Sequence, residues 1–196
     1  MNKKPLICII GKTCVGKDTF VNNLISFSKE IKMRKSVSYT TRPKRDTEED
    51  GDTHYFIDNT TFNSMRLNSD IVAYTKIGEY EYMTTLNELL NSDLCILDPD
   101  GYDYLKNSHH GNLFNIYPIL LEVDYETQLS RFYKRCGKNA TDKINDFIIR
   151  CNSEANMFEK FDRTDITVVD TSDNNSIDDI YCKIIDIIKN YRKQLS

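Results

Sequence analysis

Short apolar runs alternate along the chain with segments whose apolar residues recur every three or four positions. "LICII" (6–10) is followed by "DTFVNNLISFSKEI", "DLCIL" (93–97) by "DGYDYLKN", "NIYPILLEV" (115–123) by "YETQLSRFYKR", and "DITVV" (165–169) by the C-terminal segment. A strand followed by a helix, repeated, predicts an α/β chain with a parallel sheet and helices packed on its faces. The last helix is the clearest, because Ile177, Ile180, Tyr181, Ile184, Ile188 and Tyr191 fall on one stripe. Ser176 with Asp179 offers an N-cap for it.

One stretch breaks the alternation. From about Val37 to Thr85 the chain reads as short strands and turns ("SVSYT", "THYFI", "IVAYTKIGEYEYM") with one short helix near "TTFNSMRL". That pattern predicts a small mixed sheet inserted between two strand–helix units of a single domain. A polar stretch, "CGKNATDK" (136–143), lies between two helices with little to bury and is expected to form a flap.

Composition narrows the classes. A chain of 196 residues suits one buried core, and 39% hydrophobic with 29% charged residues is ordinary for a soluble globular protein. The net charge of −4 speaks against a general nucleic-acid binder. The longest apolar runs are too short to cross a bilayer. "MNKKPLICII" runs straight into a glycine loop with no small-residue cleavage site, so it reads as a buried strand and not as a signal peptide. The six cysteines form no C-x-x-C pair and follow no metal-ligand spacing, which fits free thiols in a reducing cytoplasm.

The first strand–helix junction carries the chemistry. "GKTCVGKDTF" (11–20) nearly matches the phosphate-binding pattern G-x-x-x-x-G-K-[ST], with Asp18 in the closing position. Gly11 and Gly16 let the backbone of Lys12, Thr13, Cys14 and Val15 turn N–H groups toward phosphate oxygens. Lys17 reaches the outer phosphates, and the helix N-terminus adds its positive end. A magnesium ligand is expected from Asp18, or from Thr19 one residue on. Asp98 ends the run "LCIL" at the carboxyl end of a strand, where it is placed to position the metal or its waters. Arg42 and Arg45, on a loop fixed by Pro43, supply two charged forks suited to a phosphate dianion. Arg131 and Arg135 lie one helical turn apart, and Arg150 follows the flap. Arginines arriving with a closing lid fit phosphoryl transfer, where the protein mainly positions groups and stabilises charge.

The segment "SVSYTTRPKRDTEEDGDTHYFI" (36–57) resembles the acceptor-binding segment of guanylate kinases, roughly S-x-T-T-R-x-x-R, acidic-Gly, then Y-x-F. With the phosphate loop, "CILDPDG" (95–101) and the arginine-bearing flap, the resemblance covers nearly the whole chain. It implies a five-stranded parallel core (1–35 and 86–196), an inserted acceptor subdomain (about 36–85) and a short lid (about 136–147). The implied activity is transfer of the γ-phosphoryl group of Mg-ATP to GMP or dGMP by a cytoplasmic monomer or homodimer, with small nucleotides as partners and neither nucleic acid nor membrane. The resemblance assigns Arg131 to ATP, and Lys17, Arg42, Arg135 and Arg150 to the transfer itself. Ser38, Arg42, Arg45, His54, Tyr55, Tyr82, Thr84 and Asp100 fall on the acceptor side. The alternatives are a (deoxy)nucleoside monophosphate kinase of different or broader base preference and a non-catalytic protein-binding module of the same family.

Three positions depart from the family pattern. His54 stands at its phosphate-binding tyrosine, with Tyr55 next to it. "GEYEYMTT" (78–85) is one residue longer than the family's G-N-Y-Y-G-T, with Tyr82 and Thr84 as the best matches. Val72 or Ala73 stands where the family places a guanine-reading glutamate, leaving Asp70, Glu79, Glu81 and Asp100 as the carboxylates nearby in sequence.

Overall fold

The computed structural model describes residues 2–45, 48–172 and 174–195. Its first strand, β1 (Lys4–Gly11), lies at the centre, because Leu6 to Ile10 are completely buried. Alternating side chains of β1 feed opposite faces. Leu6, Cys8 and Ile10 join one apolar layer, and Ile7 and Ile9 join the other. Each such large aliphatic side chain contributes on the order of 2 kcal/mol by leaving water.

Strands β6 (Leu94–Leu97), β7 (Phe114–Glu122) and β8 (Thr167–Asp170) complete this sheet in the order β6-β1-β7-β8, all parallel. Helices α1 (Lys17–Phe27) and α7 (Asn174–Lys193) cover one face through Phe20, Leu24, Tyr181, Ile184 and Ile188. Helices α4 (Pro99–Asn107) and α6 (Ala140–Lys160) cover the other through Leu105 and Phe158. Helix α7 starts two residues before the expected cap, Ser176, whose side chain lies outside the described residues.

Among the described residues the sheet has four strands and not the expected five. The missing strand survives as one parallel bridge, Lys35 to Leu94, with Arg34 O accepting from the Asp93 and Leu94 amides and Ser36 N donating to Leu94 O. The chain must leave this edge at once, since β2 (Ser38–Thr40) already belongs to the second sheet.

That second sheet is the inserted one. Its order is β3-β2-β5-β4, with β3 (His54–Phe56) parallel to β2, and β5 (Tyr80–Thr85) antiparallel to both β2 and β4 (Ile71–Ile77). Gly78, at φ +61°, turns the β4–β5 hairpin. Helix α2 (Asn59–Asn68) is capped by Asp58, which accepts from Thr61 N at 2.7 Å, and it buries Phe62 completely. A five-residue helix, α3 (Leu86–Leu90), returns the chain to the core sheet.

The polar stretch expected as a flap is mostly helical. Helix α5 (Tyr125–Cys136) passes through a short 3-10 turn, Gly137–Asn139, directly into α6. Among the described residues no helix is long and apolar enough to cross a membrane.

Candidate active site

Between the two sheets runs a cleft of about 840 Å³. One wall is the loop from β1 to α1. Gly11 is required there because a Cβ would meet Leu121 O and Val15 Cγ2 at 2.8 Å each. Gly16 holds a φ of +98° that other residues rarely adopt. The Lys17 ammonium turns back across the loop, donating to Gly11 O at 2.6 Å and Lys12 O at 2.8 Å. Burial lowers its pKa, with Glu154 opposing that trend. Asp98 caps α4 by accepting from Gly101 N at 2.8 Å. Burial, with Asp100 nearby, raises its pKa to about 6 against the pull of the Gly101 amide.

The opposite wall carries the residues expected on the acceptor side. Ser38 and His54 are register partners, and Ser38 Oγ lies 2.8 Å from His54 Nδ1. Burial, aided by the Arg42 charge, pushes the His54 pKa down to about 4, so its ring is neutral near pH 7. Arg42 is buried over the Phe56 ring and forks onto Glu48 through both terminal nitrogens, at 3.0 and 2.8 Å. The Arg45 amide adds a third bond to the same carboxylate at 2.9 Å. The Arg45 pKa falls to about 10, first through burial and then through its neighbours Arg42 and Arg135. Four arginines therefore converge here, since Arg150 adds to the same effect.

Three long-range clamps hold the loop wall. Arg131 donates to Val15 O at 2.7 Å and to Thr171 Oγ1 at 2.8 Å, tying the loop to the end of β8. Glu154, buried on α6, accepts from Thr13 N at 2.7 Å and from Arg150 Nε at 2.9 Å. Gln128 on α5 donates to Thr13 O at 2.6 Å, so Thr13 is held through both its N–H and its C=O, from α6 and α5.

Of the predicted site residues, Lys12, Tyr55 and Asp100 stay off the cleft wall, and all the others line it. The Lys12 amine packs over Phe158, Tyr55 stacks on Tyr39, and Asp100 opens onto a separate shallow groove. Sequence reasoning missed Glu48, Gln128 and Glu154. Glu48 left a signal, since it repeats the three-residue step of Arg42 and Arg45. Glu154 left none, being 141 residues from its partner Thr13.

The position expected to read the base is apolar. Ala73 lines the cleft, while Val72 is completely buried. Neither Asp70, Glu79, Glu81 nor Asp100 lines it. The Glu81 carboxylate instead receives the Tyr74 hydroxyl at 2.6 Å and meets Arg66 at 3.4 Å.

Comparison with known proteins adds an independent line. The family model for guanylate kinase matches residues 2–191. A guanylate kinase of Prochlorococcus marinus is 25% identical over 194 residues, covering 96% of this chain and 98% of its own. One from Zymomonas mobilis is 27% identical, covering 80% of this chain and 73% of its own. The crystal structure of guanylate kinase from Anaplasma phagocytophilum shares the fold, with a TM-score of 0.65 at 20% identity, over 97% of this chain and 87% of that one.

Proposed function

This chain belongs to the guanylate kinase family, and from that premise we propose that it transfers the γ-phosphoryl group of ATP to GMP or dGMP. The observation that carries the reading is the convergence of Arg42, Arg45, Arg135 and Arg150 on a cleft whose other wall is the Lys17 loop. Glu48 and Glu154 offset two of these charges, and phosphate is the ligand that matches the cationic excess left by Arg45 and Arg135.

The loop amides and Lys17 bind the donor phosphates, and the lysine exchanges two carbonyl bonds for phosphate oxygens. Ser38, Arg45, His54 and Tyr82 hold the acceptor phosphate, with neutral His54 as a hydrogen-bond partner. The acceptor phosphate is already an anion, so no general base is needed. Arg135 and Arg150 stabilise charge on the group in flight. Glu154 keeps Arg150 in register with the loop.

Asp98 and Asp18 fit magnesium. A buried carboxylate whose pKa is raised by lost hydration is one that a cation stabilises. No group of three His, Cys, Asp or Glu side chains forms a metal cage among the described residues, which suits an ion that keeps waters and phosphate oxygens as most of its ligands. When bound there, magnesium would neutralise phosphate charge.

Formation of ADP and GDP from Mg-ATP and GMP tests the reading directly. Turnover of ATP that does not depend on acceptor would contradict it.

A further inference from the structure

Three of the six cysteines gather beside the Gly11–Lys17 loop. Cys14 of the loop, Cys136 at the end of α5 and Cys151 on α6 pack against one buried apolar patch of Phe132, Ala140 and Phe147. All three are free thiols and partly exposed, and Cys14 also lines the cleft. The Cys14 backbone holds a φ of +59°, a conformation that residues with a Cβ seldom adopt.

Gln128 brings two of these thiols together. Its Nε2 donates to Thr13 O at 2.6 Å, on the peptide that joins Thr13 to Cys14. The same nitrogen lies 3.9 Å from Cys151 Sγ. Cys151 is therefore separated from the Cys14 peptide by a single side-chain amide.

The two thiols differ in readiness to react, because the thiolate is the attacking form in thiol–disulfide exchange. Burial pushes the Cys151 thiol up to about 11, with Glu154 and Cys14 adding to the rise. Cys14, open to the cleft, is the thiol that an incoming disulfide meets first. The core pair Cys8 and Cys95 gives the contrast. Their sulfurs lie 3.1 Å apart, yet both side chains are completely buried and shielded from any reagent in the folded chain.

We propose that Cys14 is a modification site for low-molecular-weight disulfides, that Cys151 resolves the adduct, and that the Cys14–Cys151 disulfide so formed closes the loop to phosphate. The Cys14 thiolate attacks one sulfur of R–S–S–R; a new S–S bond forms, and R–S⁻ leaves with the electron pair. Cys151 gives up its proton and attacks the Cys14 sulfur, expelling the second R–S⁻. Two protein thiols are oxidised, and the reagent disulfide is reduced to two thiols that take up the two protons. The bond pins the Cys14 backbone to α6, so the loop amides lose the freedom to wrap around phosphate oxygens.

The test treats the full reduced chain with hydroxyethyl disulfide and maps the cysteines by peptide mass spectrometry. The Cys14 peptide is expected joined to the Cys151 peptide, and dithiothreitol is expected to separate them again. The linked chain should bind ADP at least about tenfold more weakly than the reduced chain, in a calorimetric titration. Cys151→Ser should stop at the mixed disulfide and keep a hydroxyethylthio group on Cys14. If that variant does not fold, the map of the unaltered chain decides. A Cys14 that stays unmodified or pairs with Cys136 overturns the inference, and so does a linked chain that binds ADP as tightly as the reduced one. The map is read by mass alone, so its failure leaves the kinase reading standing.

Discussion

The wall proposed for the donor grows out of the core sheet, where five consecutive side chains of β1 are fully buried, whereas the wall proposed for the acceptor is a thin sheet whose β2 and β3 span three residues each. The first is positioned by burial and by backbone bonds. The second is positioned by polar pairs: Glu48 in the Arg42 fork, Ser38 on His54, Thr41 Oγ1 accepting from Glu81 N. One cleft thus combines a wall fixed by the core with a wall fixed by charges. Substitutions on the two sides should consequently fail in different ways.

Lys17→Ala is the sharpest break on the donor side. It removes the only side-chain cation of the loop that turns into the cleft, and it should lower kcat by about 10³ or more while the circular-dichroism melt stays nearly unchanged. On the acceptor side, Glu48→Gln should raise the GMP KM by roughly tenfold to a hundredfold by freeing Arg42 from its fork, with the ATP KM within about twofold. A rise in both constants would mean that the two walls are not independent.

Stability sharpens the same contrast. Leu24→Ala under the core sheet and Phe62→Ala under the inserted sheet each empty a fully buried site and should cost about 3–5 kcal/mol in denaturant unfolding. If the insertion can open separately, Phe62→Ala will lose acceptor binding before the global transition. A single coincident transition would show that the two sheets unfold as one.

The smallest expected effect is a pH effect at His54. Its pKa falls from 6.5 in the unfolded chain to about 4 in the folded one, so the unfolded state binds the proton first on acidification. Its contribution is complete above pH 6.5 and declines as the pH falls through about 4. His54→Asn should flatten the stability profile across that window. An unchanged profile would mean that the folded ring titrates normally.

The repeated strand–helix units were legible in the sequence because each strand is a continuous apolar run and each helix carries a clear stripe, as α7 does. The fifth strand was not, since Arg34 and Lys35 form one bridge before the chain departs for the second sheet. Within the candidate site, the Gly11–Lys17 loop and the two arginines were legible because local spacing encodes them. The Glu154 and Gln128 clamps were not, because their partner Thr13 is more than a hundred residues away and only folding joins them. The flap was expected from its polarity alone, and the structure gives that stretch as Gly137–Asn139 between two helices, with the Lys138 and Asn139 side chains exposed.

The central claim is that the cleft joins a donor nucleotide to an acceptor monophosphate. Steady-state ADP formation with Mg-ATP, with and without GMP, tests it most directly. The structure predicts rapid ADP formation that requires GMP and is abolished in Lys17→Ala. No dependence on any nucleoside monophosphate, with Lys17→Ala as active as the unaltered chain, would contradict it.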